Sequence, residues 1–146
     1  MTRFYDLDDA NARLPELRVI LAALREQRAE LIRLRDVVLE RQEAVEAGGV
    51  RATEGSGEPD EAVSDDELRL IRLRMQGVID QMQAGVARID ALGIALRDID
   101  SGLIDFPALA SGRQVCLCWR LGEDDVAWWH ELTAGFSGRL PLIDLA

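Results

Sequence analysis

The sequence predicts an α+β fold, mainly α: a long antiparallel, coiled-coil-like helical hairpin with a C-terminal β-hairpin module at its open end. Two stretches of seven-residue apolar periodicity flank a segment rich in Gly, Glu, Ser, Pro and Asp. After Phe106-Pro107 the apolar period falls from 3.6 to 2. The 146 residues fit a single domain spanning 1–146, and a 48% hydrophobic content is enough for a core.

Residues 1–47 hold an N-terminal turn and the first long helix. Asp6 can cap a short helical turn over residues 6–15, with Asp9 three positions on. Pro15 fits the first turn of a new helix or kinks a continuous one. Leu17, Leu24, Leu31, Val38 and Val45 then recur every seven residues, with Ile20, Leu21 and Leu34 beside them. Arg28 and Arg35 interrupt the stripe, and Gly48-Gly49 should stop the helix.

Residues 48–65 read as a flexible acidic linker. Ser64 or Asp65 can cap the second helix, placed at 66–101. Leu68, Met75, Met82, Ile89 and Leu96 take one heptad position, and Ile71, Val78, Gly85, Leu92 and Ile99 the other. Helices of roughly 30 and 35 residues are about 45–50 Å long and must fold back antiparallel. The linker then lies at one tip and the residues after Gly102 at the other.

Residues 102–146 form the Trp-rich module. Val115, Leu117, Trp119 and Leu121 alternate with more polar neighbours, as do Val126, Trp128, His130 and Leu132 after the turn Gly122-Glu123-Asp124-Asp125. Pairing Leu121 with Val126 puts those eight residues on one face. Cys116, Cys118, Arg120, Trp129 and Glu131 fall on the other, and a slip of one residue changes the cross-strand neighbours.

Net charge is −10, and all 17 basic residues are Arg. Residues 48–66 carry six acids and one Arg, half of the net charge in one short segment. No basic stripe is present, which disfavours nucleic acid and anionic membranes as partners. No apolar run approaches the ~18 residues of a membrane span. The first residues lack the apolar run of a signal peptide, and a cytoplasmic location is expected. Two cysteines in such a chain are not a disulfide framework.

Candidate site residues gather at the open end. A ligand pocket is expected from Tyr5, Trp119, Arg120, Trp129, His130, Phe136 and Arg139, with Trp128 beside them: aromatic walls and a few polar anchors. The competing reading is that these rings are simply core. A divalent-metal set of Cys118, His130, Glu131 and Asp105 is also expected, with zinc the first cofactor to test. Against it stands a packed histidine with one hydrogen bond, and an Arg120–Glu131 ion pair. Cys116 and Cys118 share one strand face and are placed to be buried rather than bridged.

Three segments carry a family resemblance. The opening Phe4-Tyr5-Asp6-Leu7-Asp8-Asp9-Ala10-Asn11 with Leu14-Pro15-Glu16-Leu17, then Gly102-Leu103-Ile104-Asp105-Phe106-Pro107, form the first two. The third runs Cys118-Trp119-Arg120-Leu121-Gly122-Glu123, Trp129-His130 and Gly135-Phe136-Ser137-Gly138-Arg139. Together they resemble an uncharacterised prokaryotic family, domain of unknown function 2203. The resemblance implies a recurring module and brings no activity, cofactor or catalytic residue.

The apolar arc of the first helix, widened by Leu21, Ile32 and Leu39 on one side and Ile20 and Leu34 on the other, exceeds one seam. Gly77, Ala84, Ala87, Ala91 and Ala95 give the second helix a small-residue face. A homo-oligomer, with a dimer favoured, is therefore expected. The functional expectation is a non-enzymatic oligomeric scaffold presenting a Trp/Arg/His module, with a protein partner possible. The alternative is a small-ligand or divalent-metal-binding protein, or an enzyme, with its site at the open end; no catalytic motif is recognisable.

Overall fold

The computed structural model describes residues 3–48 and 64–145. Its elements are α1 (Leu7–Gly48), α2 (Asp65–Ala91), β1 (Ala95–Asp98), β2 (Leu103–Ala110), β3 (Arg113–Arg120), β4 (Trp128–His130) and β5 (Leu140–Pro141). Short 3-10 turns lie at Phe136–Gly138 and Leu142–Asp144. The expected stop at Gly48-Gly49 and most of the linker at 48–65 fall outside the described residues.

Asp6 caps α1, its Oδ1 accepting the Asp9 amide at 2.7 Å. No break occurs at Pro15, which lies inside one continuous 42-residue helix. Pro15 forfeits one helical hydrogen bond, but Leu14 and Leu17 on either side are fully buried, and their packing outweighs that loss. Ser64 caps α2 by accepting the Glu67 amide at 3.1 Å. The pairs Arg41–Asp65, Arg74–Glu30 and Arg88–Glu16 descend one helix while climbing the other, so the hairpin is antiparallel.

The second helix is shorter than its heptads predict: it ends at Ala91, not near 101. Gly93 adopts φ +74°, and the amides of Gly93 and Ile94 bond back to the carbonyls of Asp90 and Ile89. This is a Schellman closure, which needs a left-handed residue and so selects glycine. Ala95, Leu96 and Ile99, read as helical, belong instead to β1 and the turn after it.

The C-terminal module is not a two-stranded hairpin but a five-stranded antiparallel meander, β1-β2-β3-β4-β5. The main partner of β3 is β2, in register from Leu103–Arg120 to Ala110–Arg113. A two-residue turn, Ser111-Gly112, joins them with both residues at positive φ. Pro107 is tolerated within β2 because β1 pairs no further along it than Asp105. The Pro107 carbonyl accepts the Tyr5 amide at 2.7 Å on that side, where a strand amide would otherwise point.

The β3–β4 register also differs by one residue from the expected pairing. Cys116 faces His130, Leu117 faces Trp129 and Cys118 faces Trp128. The Arg120 amide donates to Glu123 Oε1 at 2.7 Å and Gly122 sits at positive φ, so the connection is a wider loop than the tight turn expected. Trp129, rather than Trp128, therefore enters the core with Leu117.

One core joins helices and sheet. Leu14, Leu17, Leu21 and Leu24 of α1 and Ile89 of α2 pack with Ile104, Phe106, Val115, Leu117 and Trp119. The Val126 amide donates to Asn11 Oδ1 at 2.8 Å, and Arg18 donates to the Asp124 carbonyl at 2.7 Å, binding α1 to the β3–β4 loop. At Arg25 and Arg28 α1 still meets the β1–β2 turn, through the Asp100 and Ser101 carbonyls and the Asp100 carboxylate. Further along, α1 and α2 continue as a two-helix arm. No helix among the described residues is long and apolar enough to cross a membrane.

Candidate functional site

Directly opposed residues in an antiparallel sheet share a face. The register therefore sorts Ile104, Phe106, Leu117, Trp119 and Trp129 onto the core face, and Asp105, Cys116, Cys118, Trp128 and His130 onto the other. On this second face, where a two-layer fold ordinarily meets water, Asp105 is 3% exposed and His130 2%. Both cysteines are buried free thiols.

His130 Nε2 lies 2.9 Å from Asp105 Oδ1, and its Nδ1 lies 2.7 Å from the Glu131 carbonyl oxygen. A carbonyl can only accept, so Nδ1 carries a proton and donates it. The Nε2–Oδ1 contact then requires one further proton between imidazole and carboxylate. Arg97 Nε donates to the other carboxylate oxygen at 2.9 Å. That hydrogen bond, ahead of the opposing effect of burial, raises the Arg97 pKa. Asp105 is thus fully engaged by two basic side chains, which a buried carboxylate needs.

The thiols are held protonated. Burial, then the Asp105 charge, pushes the Cys116 pKa up, against the nearby Arg97 guanidinium. The same two causes push Cys118 up to about 12. Neither cysteine therefore has the activated, electropositive setting of a catalytic nucleophile. Among the described residues, Asp105, Cys116 and His130 form the one group of three potential metal ligands, with ligand atoms all within 4.8 Å of one another.

The structure brings only part of the expected metal set together. Asp105 and His130 do meet, but Cys116 replaces Cys118 in the cluster. The Glu131 carboxylate leaves it to pair with Arg113, and only the Glu131 carbonyl stays. The expected Arg120–Glu131 pair is not formed: Arg120 lies over the Phe136 ring, 5.2 Å from its centroid. Asp98 accepts from the amide and hydroxyl of Ser101, which lower its pKa and close the β1–β2 turn.

The expected aromatic pocket is divided by the sheet. Tyr5 and Trp119 are core: the Tyr5 ring meets Phe106 edge-on at 5.2 Å and its hydroxyl donates to the Leu92 carbonyl. Trp129 joins them, and His130 belongs to the buried polar cluster. The rest gather around Arg139, whose guanidinium stands 4.6 Å from the ring centroids of both Trp128 and Phe136 and pairs with Glu123. The cage that Trp128 and Phe136 offer a ligand is filled by this arginine. Arg97 is the residue that sequence reading missed; the signal available was its spacing of eight from Asp105 across the Ser101-Gly102 turn.

A family model described as uncharacterized conserved protein (DUF2203) matches residues 3–142. No curated protein and no solved structure matches the chain.

Proposed function

The chain belongs to the DUF2203 family, and from the geometry of this member we propose a non-enzymatic assembly protein that pairs through its helical arm with a second copy of itself. The observation that carries this reading is the burial along the arm. Beyond Leu24 no described α1 residue is among the buried core, and in α2 only Val78 is buried before Ile89. Leu31, Ile32, Leu34, Val38, Met75 and Ile79 are half-buried, while Leu70 and Leu73 on α2 are 65% and 64% exposed. Two helices form one seam, and an apolar surface this wide calls for a third helix face.

Charge placement favours a second copy as that face. The described tip of the arm carries Glu43, Glu46, Asp66 and Glu67 beside the Arg41–Asp65 pair, and the stretch behind it carries Arg33, Arg69 and Arg72 beside Glu40 and the Arg35–Asp36 and Arg74–Glu30 pairs. Two arms laid antiparallel about a two-fold axis bring each acidic tip towards the partner's arginines. Gly77, Ala84, Ala87 and Ala91 are exposed on α2 and permit close approach. The sheet modules then stand at opposite ends of the dimer, available to a protein partner. The cytoplasm, where buried thiols stay reduced, suits Cys116 and Cys118.

Sedimentation equilibrium of the wild type and of Leu70→Glu/Leu73→Glu tests the reading. The expected result is a dimeric wild type and a monomeric variant with unchanged helicity, because four charges would be buried per dimer. A wild type that stays monomeric at all accessible concentrations overturns it.

A further inference from the structure

The buried polar cluster has a geometry that its structural role alone does not require. We infer that Asp105, Cys116 and His130 form a binding site for one zinc-class divalent cation per chain, with Arg97 standing in the position of the metal's charge.

Three features carry this. The ligand types are an imidazole, a thiolate source and a carboxylate, the mixture that borderline cations such as Zn²⁺ select. The ligand atoms lie within 4.8 Å of one another. Tetrahedral zinc needs its ligands about 3.3–3.8 Å apart, so the widest gap must close by roughly 1 Å while the 2.9 Å Nε2–Oδ1 pair opens slightly. The third feature is the orientation of the histidine. Its Nδ1 donates to the Glu131 carbonyl at 2.7 Å, which fixes the ring and directs Nε2 at Asp105. Metal-bound histidines are held in this way: the distal N–H engages a carbonyl or carboxylate, and the other nitrogen presents its lone pair.

Arg97 supplies the positive charge that faces Asp105 in the cluster. Its guanidinium holds Asp105 Oδ2 at 2.9 Å, and its side chain is half exposed. It can swing to water without opening the core. The proton between His130 and Asp105 and the proton on Cys116 then leave to solvent, and the cation takes their place. Three protein ligands and the position Arg97 vacates make an open site, completed by water or a small anion. Cys118, opposite Asp105 in the β2–β3 register, lies outside the three-residue group. Arg139 and Glu123, the other charges beside Cys118, are engaged with each other.

The test is a titration of the full chain, stripped of metal, with Zn²⁺ by calorimetry and with Co²⁺ by absorption. The expected result is one Co²⁺ per chain with a thiolate-to-cobalt charge-transfer band. Cys116→Ala should abolish the band and weaken Zn²⁺ binding by about tenfold or more. Cys118→Ala should keep the band. Arg97→Gln should tighten Zn²⁺ binding roughly tenfold by removing the competing charge. Circular dichroism checks that each variant folds, and Cys116→Ser gives a second reading of the same position. The proposal is overturned if the wild type binds no stoichiometric cation. A band that survives Cys116→Ala, or is lost only in Cys118→Ala, also overturns it. All readouts are per chain and do not depend on the assembly state.

Discussion

His130 has one neighbour that can only accept a hydrogen bond and another that is a carboxylate, and these two facts organise the far face of the sheet. The thiols beside it follow the same electrostatics. Cys118 is pushed from 9.0 to about 12, first by burial and then by Asp105. The folded chain holds this proton more tightly than the unfolded chain does. The resulting stability is complete below pH 9.0 and is lost as pH rises from there towards 12. The loss amounts to at most about 1.4 kcal/mol per pH unit for this thiol. Denaturant unfolding at about pH 8 and about pH 10.5 should show a falling midpoint in the wild type and a shallower fall in Cys118→Ala. Parallel falls in both proteins would place the alkaline sensitivity elsewhere. That Asp105 and His130 come together was legible in the sequence, since both fall at the open end of the helical hairpin. That Cys116 and not Cys118 joins them was not, because the choice depends on a register that alternation alone leaves free by one residue.

At the scale of elements, one glycine separates helix from sheet. The heptad of α2 runs on through Leu92, Leu96 and Ile99, so periodicity alone carries the helix past its end. Gly93 at φ +74° stops it, and a Cβ there would also come within 3.2 Å of Arg3 Cβ. Gly93→Ala should cost about 1–2 kcal/mol, read as a fall in Tm of several degrees with the fold retained. An unchanged Tm would mean that the closure at Ala91 does not rest on this residue. The caps at Asp6 and Ser64 were readable because a short polar side chain before an apolar periodic run has a local cause. The β1–β2 pair was not readable: β1 is four residues long with a register shift between Leu96 and Asp98, and β2 contains a proline. The signal for the β2–β3 turn was the dipeptide Ser111-Gly112 between two runs of β-forming residues.

At the scale of the whole molecule, burial declines steadily along α1. Leu17 and Leu24 are buried, Leu31 and Val38 half-buried and Val45 exposed, although all five hold the same heptad position. The sheet covers only the first part of the helix, and the rest has α2 alone. This is why the heptads were legible across the full length while their burial was not: periodicity records which face is apolar, not what covers it. Under the proposed assembly, a second copy covers it. The most direct test is the native mass of the untagged, unmodified chain at low micromolar concentration. A mass of twice the 16.2 kDa chain is expected, with or without a bound cation on each copy. A mass of one chain, unchanged as concentration is raised, would contradict the account and leave the arm's apolar face to some other occupant.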